Sequence, residues 1–492
     1  MDSIVLIGYF LSLTILFTFG LHGFIMIYYH KKYRHNNPVP RPEMDHDAVV
    51  TIQLPLYNEM YVAERLIDAV CRIEYPKDKL EIQVLDDSTD ETTSVVAGAV
   101  EKKQKEGFDI LHIRRGSREG FKAGALKAGL KIAKGEYIAI FDADFIPHKD
   151  FLNKTLSFFN NDNIGMVQTR WEHLNSEYSI ITRAQALALD GHFVIEQSVR
   201  NKSGFFINFN GTGGVWRKSC IEDAGNWHAD TLTEDLDLSY RAQLNGWKFI
   251  FLKDFTSPAE LPSEINALKS QQFRWTKGAI ETAKKILPLV WKSKIPLRVK
   301  LQSTFHLSNN IVFPFILLAA ILNVPLVFVK NSGSHGLYFA MMSIFVFAFI
   351  SSFVFYLYSQ KDVREDWRKR IVLFPLFMAG SMGLAVNNSR AVFEGLLNRK
   401  SEFVRTPKFN LETNKDSWIG KKYMEKKLGL SVYVEALLAV YCLIGILASL
   451  YFMEFAALPF QILFFLGFSF MSITLHTVKL TLLISEKPVT NI

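Results

Sequence analysis

"EYIAIFDAD", residues 136–144, decides how this chain is read. An apolar run from Tyr137 to Phe141 stops abruptly at two aspartates one residue apart. So short a run, rich in aromatic and branched side chains, reads as a buried strand that ends in polar groups. "VVTIQLPLY" (49–57) and "LEIQVLDDS" (80–88) have the same form, and residues 60–73 and 91–106 between them read as helices. Strands alternating with helices predict a parallel sheet covered by helices. Such sheets bind ligands beyond the C-terminal ends of their strands, where loops and helix N-termini converge. The three polar strand ends are therefore expected to share one site.

Outward from this α/β core, the composition changes. The 492 residues are 49% hydrophobic with a mean hydropathy of +0.11, between a soluble enzyme and a pure membrane protein. Residues 4–27 exceed the roughly 20 needed to span a bilayer. They lack a basic leader and are followed by basic residues, so they read as a retained anchor with its N-terminus outside, not as a cleaved signal. Beyond residue 300, four further spans are expected at 307–329, 337–359, 432–452 and 457–479. A shorter one, 371–387, precedes a loop at 389–428 that is rich in basic residues. Basic loops favour the cytoplasm, which makes 371–387 a re-entrant or interfacial segment. The organisation expected is a membrane helix (1–30), a catalytic domain (36–262), interfacial amphipathic helices (263–304), membrane helices with the re-entrant segment (305–388), a cytoplasmic loop region (389–430) and membrane helices (431–484).

The net charge of +8 does not call for nucleic acid. Lys and Arg cluster beside apolar runs, in "YYHKKYRH" (28–35) and "KDVREDWRKR" (361–370), as at the cytoplasmic edge of a lipid bilayer. The three cysteines, Cys71, Cys220 and Cys442, have no metal-ligand spacing, and a reducing compartment fits them.

Each motif admits two readings. Asp142 and Asp144 can hold Mg²⁺ or Mn²⁺ that also binds a diphosphate, although a lone D-x-D is more often an ordinary acidic loop. Asp86 and Asp87 can meet a nucleoside, or cap the following helix together with Ser88 or Asp90. Tyr57 and Glu59 end the first strand, and Lys122 in "GFKAGAL" (120–126) suits phosphate at a helix start or simply points into solvent. Among Glu234, Asp235 and Asp237, one carboxylate can act as general base, or all can serve a helix start capped by Thr233. "NFNGTGGVWRKS" (208–219) offers Phe209 and Trp216 to sugar faces, or is a tight turn beside core aromatics. "QQFRWTKGAIETAKKIL" (271–287) has the apolar stripe of an interfacial helix.

Taken in order, "PLYNE", "DDS", "FKAGAL", "DAD", "TED" and "QQFRW" resemble the motif series of processive family 2 glycosyltransferases, the cellulose, chitin and hyaluronan synthases. "VQTRWEHLN" (167–175), "FNGTGGVWR" (209–217) and "TEDLDLSYRAQLNGWKF" (233–249) resemble most the cellulose synthase-like branch of glucomannan and mannan synthases and xyloglucan-backbone glucan synthases. The resemblance implies a GT-A, Rossmann-like domain inserted between transmembrane helices. It implies that Asp235, with Glu234 beside it, is the catalytic base, and that Asp142 and Asp144 hold Mg²⁺ or Mn²⁺. Tyr57, Glu59, Asp87, Lys122, Gln271, Arg274 and Trp275 become substrate contacts, joined by Phe209, Asn210 and Gly211 at the acceptor. "FVRTPK" (403–408) resembles a gating loop of pattern F-x-V-T-x-K, keeping Phe403, Thr406 and Lys408 with Arg405 at the valine.

The activity implied is inverting polymerisation of a hexose from UDP-glucose or GDP-mannose into a β-1,4-glucan or β-mannan/glucomannan. The growing polysaccharide is the acceptor, it crosses the membrane, and accessory export proteins assist. The catalytic domain is expected in the cytoplasm, at a bacterial inner membrane in preference to the alternative, a Golgi-type one. The chain ends at "SEKPVTNI" (485–492), so control by a C-terminal cyclic-dinucleotide domain is not expected. Competing readings are transfer of one sugar to a polyprenyl phosphate or ceramide, and a non-enzymatic transporter.

Overall fold

The computed structural model describes residues 2–41, 48–333, 335–401, 404–411, 416–418, 420–423 and 429–485, with side chains described as far as Ile473. Among the described residues, seven strands make one sheet: β1 (Val50–Leu56), β2 (Leu80–Asp86), β3 (Asp109–Ile113), β4 (Tyr137–Ile140), β5 (Ile164–His173), β6 (Gly214–Arg217) and β7 (Lys248–Ala259). They lie in the order β3-β2-β1-β4-β6-β5-β7. β1, β2, β3 and β4 run parallel, β6 is antiparallel to both its neighbours, and β5 and β7 pair in parallel. The sheet is therefore mixed, where the strand pattern alone predicted a parallel one. The reversal comes from the four-residue β6, too short for its alternation to stand out from the Gly-rich turn before it.

Both faces of the sheet are covered, which is why β2 is buried along its whole length. Alternate residues of β4 go to opposite sides: Tyr137, Ala139 and Phe141 join one core with Ile52, Leu54 and Phe151, while Ile138 and Ile140 join another with Leu126, Trp216 and Trp227. The helices Ala63–Val70, Thr92–Lys105 and Phe121–Ile132 follow β1, β2 and β3, within a few residues of where periodicity predicts the first two.

Among the described residues, four stretches of helix are long and apolar enough to cross a membrane: Asp2–Tyr33, Leu297–Asn331, Gly336–Val363 and Leu430–Tyr451. A fifth helix, Leu458–Ser485, is apolar through Ile473. Small residues let these helices approach closely; a Cβ on Gly20 would stand 2.6 Å from that of Ala348. Between them, Phe374–Gly383 is only ten residues long. At 1.5 Å per residue it spans about half of the ~30 Å hydrocarbon core. Ala385–Leu396 follows at once and packs on the helix Ile265–Lys292, where Lys277 Nζ reaches Glu394 at 3.5 Å and Ser401 Oγ at 2.7 Å.

Ile265–Lys292 is one continuous helix of 28 residues. Its second and third turns carry Gln271, Arg274 and Trp275, while Ala279, Ile280, Ala283 and Ile286 give it a buried face.

Candidate active site

The register brings three strand ends to one edge: Leu56 of β1 stands opposite Asp86 of β2, and Gln53 opposite Ile140 of β4. One cavity opens there, and Tyr57, Glu59, Asp87, Lys122, Asp142 and Asp144 line it. Asn210, Gly211, Glu234 and Asp235 close a second side, and Gln271, Arg274 and Trp275 enter from the start of the long helix. Thr406 and Lys408 complete the lining. Phe403 lies outside the described residues.

The two aspartates of "LDDS" divide their work. Asp86 is buried, its Oδ2 2.9 Å from His112 Nε2 and its Oδ1 accepting the Ser88 N–H. Burial opposes its charge, but these hydrogen bonds outweigh it and hold the carboxyl below the usual range. Asp86 thus builds the loop, and Asp87 reaches the cavity, paired with Arg115 through Nε at 2.9 Å and through Nη2.

Burial and the charge of Asp144 push Asp142 up, against the pull of Lys122. Lys122 Nζ pairs with Asp142 Oδ1 and donates to the Gly211 carbonyl at 2.9 Å. Its ammonium is held above the usual lysine range, because Asp142, Glu234 and Asp235 together outweigh the cost of burial. Asp144 Oδ2 is 2.5 Å from Lys408 Nζ. Two hard carboxylates one residue apart, each neutralised here by an ammonium, form a donor set suited to Mg²⁺ or Mn²⁺.

Gly211 sits between the two halves of the site at φ +83°. A Cβ there would lie 3.1 Å from Asp235 Oδ2 and 3.4 Å from Lys122 Nζ, so the conformation favours glycine and a side chain would press on Asp235.

Glu234 and Asp235 open the helix Glu234–Leu244. Thr233 makes no capping bond; its hydroxyl pairs with Thr282 Oγ1 at 3.1 Å. Asp235 instead accepts the Leu236 N–H at 2.8 Å. Burial, reinforced by the charge of Glu234, pushes Asp235 up to about 7, and burial raises Glu234 as well. A carboxylate with such a value can both take a proton near neutral pH and be regenerated. The charge of Arg274 bears on Glu234, Asp142, Asp235 and Asp144 together.

Two aromatic expectations fail. Phe209 does not line the cavity: it is fully buried, its ring 5.5 Å from that of Trp216. Trp216 is fully buried too and stacks edge-on with Trp227 and Phe249. The reason is β6, which turns both rings into the core beneath the sheet. The loop they anchor is held by Gln168, whose Oε1 accepts the Asn210 N–H at 3.0 Å and whose Nε2 donates to the Thr212 and Gly213 carbonyls.

Sequence reading did not single out Gln168, Arg115, Arg118 or Glu260. The Arg118 guanidinium lies 3.3 Å from the Tyr57 ring centre. Glu260 accepts the Phe409 N–H at 2.9 Å, and its carbonyl takes Lys408. Arg405 pairs with Glu59 at 2.8 Å and stacks on Tyr423 at 4.2 Å. No spacing rule links residues so far apart. His228, Asp230 and Asp237 also converge, but Lys285 lies 2.8 Å from Asp230 and 2.9 Å from Asp237, and so already supplies the cation.

A mixed α/β sheet with a D-x-D pair at a strand end, carried by membrane-length helices, defines the chain as a GT-A fold protein with membrane-spanning segments. Residues 47–278 match the family described as glycosyltransferase-like family 2, and this part of the chain is a glycosyltransferase family 2 domain. Glucomannan 4-beta-mannosyltransferase 1 of Oryza sativa is 42% identical over 283 residues, 56% of this chain and 54% of that protein. Glucomannan 4-beta-mannosyltransferase 2 of Arabidopsis thaliana is 43% identical over 251 residues, 50% of this chain and 47% of that protein. The chain spans about half the length of these relatives. A mannosyltransferase from Pyrobaculum calidifontis, solved with GDP-Man and Mn²⁺, shares the fold at a TM-score of 0.56 and 18% identity, covering 79% of this chain and all of that one.

Proposed function

We propose that the chain is an inverting hexosyltransferase that polymerises mannose from GDP-mannose into β-1,4-mannan or glucomannan at a membrane. The observation that carries this reading is Asp235, pushed to about 7 in the same cavity as Asp142, Asp144, Arg274 and Trp275. Asp235 takes the proton of an acceptor hydroxyl, whose oxygen attacks the anomeric carbon from the face opposite the diphosphate. One C–O bond forms, the bond to the diphosphate breaks, and the nucleoside diphosphate leaves. Lys122 and Arg274 meet the charge that develops on it. Asp142 and Asp144 are the residues to hold Mg²⁺ or Mn²⁺, which supplies charge neutralisation at the diphosphate. Mannose as the sugar is supported by the names of the plant relatives, more than 40% identical over the matched region.

Gln271, Arg274 and Trp275 receive the acceptor end of the glycan, and the helix that bears them leads from the cavity to the membrane helices. Phe374–Gly383 dips into the membrane and returns, which keeps Thr406 and Lys408 on the side of the active site. Plant relatives give no support to a bacterial inner membrane; a Golgi-type membrane with the catalytic domain facing the cytoplasm fits them. The test is Asp235→Asn, which should lower turnover by roughly 10²- to 10⁴-fold while nucleotide binding persists. Normal turnover would rule out Asp235 as the base.

A further inference from the structure

Asn210, in the cavity wall, is wired to a histidine that does not line the cavity. Its Oδ1 accepts from Gln197 Nε2 at 2.8 Å, and its Nδ2 lies 3.1 Å from His192 Nε2. His192 Nδ1 in turn lies 3.0 Å from Glu196 Oε2. His192, Glu196 and Gln197 share one π-helical segment, Gly191–Gln197, a geometry frequent at functional sites and rare elsewhere.

Each end of this chain of contacts is an obligate acceptor, and that fixes every proton in between. Gln197 Nε2 also donates to the Asn208 carbonyl at 2.7 Å. That atom is therefore the amide nitrogen, and Asn210 must present its oxygen to it. Asn210 then offers Nδ2 to His192, whose Nε2 must be unprotonated. At the far end, burial opposes the charge of Glu196, but Arg200, 3.7 Å away, and His192 outweigh it and hold the carboxyl ionised. A carboxylate only accepts, so the His192 proton sits on Nδ1.

We propose that His192 is a positioning residue for the acceptor glycan. Its neutral Nδ1–H form locks the Asn210 amide so that its second N–H is left for a sugar hydroxyl at the cavity wall. The inference rests on the functional reading above, in which Asp235 takes the acceptor's proton; Asn210 lines the same cavity next to Gly211, where a Cβ would lie 3.1 Å from Asp235 Oδ2. A second proton on His192 would set an N–H against the Asn210 amide nitrogen. The amide cannot turn over in response, because Gln197 would then meet N–H in place of oxygen. The ionisable groups bearing on the pair are Glu196 and Arg200 from the same stretch of chain, Tyr240 and His306 from the helices Glu234–Leu244 and Leu297–Ser308, and His22 and Tyr356 from Asp2–Tyr33 and Val346–Val363.

The test uses the full chain in lipid nanodiscs, with GDP-mannose as donor and a soluble β-1,4-manno-oligosaccharide as acceptor. His192→Gln keeps an acceptor atom, so its acceptor KM should stay within about twofold of the wild-type value. His192→Phe keeps the ring without the acceptor atom, and its acceptor KM should be about tenfold higher, with the donor KM changing less than about twofold. The proposal is overturned if His192→Gln raises the acceptor KM as much as His192→Phe, if the acceptor KM of His192→Phe equals that of the wild type, or if the donor and acceptor KM values move together. If the wild type transfers no mannose, the functional reading fails and this inference with it; if it does and the variants match it, the inference alone fails.

Discussion

Lys408 Nζ stands 2.5 Å from Asp144 Oδ2, so a loop 264 residues further along the chain places its ammonium on one of the two carboxylates suited to a metal. An ammonium and a divalent ion compete for the same oxygen. Lys408→Met should therefore strengthen Mn²⁺ binding by the nucleotide-free protein on the order of tenfold, the worth of one charge-assisted hydrogen bond. Titration calorimetry reads this directly, and equal or weaker Mn²⁺ affinity in the variant contradicts the competition.

With Asp235 as the proposed base, its raised value sets the pH dependence expected of transfer. Its folded-state value of about 7 lies above that of an ordinary aspartate, so the basic form is depleted below neutrality and fills above it. With donor and acceptor saturation avoided, kcat/KM reports the free protein. It should climb with pH through about 7 and fall about tenfold per pH unit on the acid side. A profile flat from pH 5 to 8 would show that another group takes the proton.

Gly211→Ala tests the close approach between the two halves of the cavity. At φ +83° the new side chain costs ~1–3 kcal/mol in backbone strain. Its Cβ also presses on Asp235 Oδ2. Transfer should fall more than about tenfold, the factor carried by each ~1.4 kcal/mol of lost transition-state stabilisation. A variant that keeps wild-type turnover would mean that the Asp235 and Lys122 geometry tolerates displacement here.

Much of this site was legible from residue order. The polar ends of β1, β2 and β4 declare themselves because strand burial and helix alternation are local signals, and their convergence follows from parallel topology alone. Phe209 was misplaced for the opposite reason: whether its ring faces a ligand or the core depends on β6 reversing direction between β4 and β5, a pairing across some fifty residues from Val167 to Val215. Glu260 and Arg118 carry no motif, and only the fold brings Glu260 to Lys408. The acidic cluster at Glu234, Asp235 and Asp237 reads alike as cap or catalyst. The structure separates them, because Asp237 is tied to Arg241 and Lys285 while Asp235 faces the cavity.

The long helix Ile265–Lys292 is tied to the membrane-length helix Leu430–Tyr451 partly by one buried ion pair. Lys269 Nζ of the long helix meets Glu435 Oε2 of Leu430–Tyr451 at 2.7 Å, and both side chains are buried. Lys269→Met leaves the carboxylate alone in an apolar wall, which should destabilise the protein by ~3–5 kcal/mol. The double variant Lys269→Met with Glu435→Leu should recover most of that loss. Thermal unfolding in detergent checks both. An unchanged midpoint in the single variant would remove the pair from the account.

The central claim is tested most directly by one product analysis. Purified full-length protein with Mn²⁺ is given labelled GDP-mannose, GDP-glucose, UDP-glucose or UDP-N-acetylglucosamine in turn, and the product is sized and its linkage determined. GDP-mannose should yield a long β-1,4-linked glycan that an endo-β-1,4-mannanase degrades. A single mannose on a lipid, or polymer formed from a UDP-sugar but not from GDP-mannose, would contradict it.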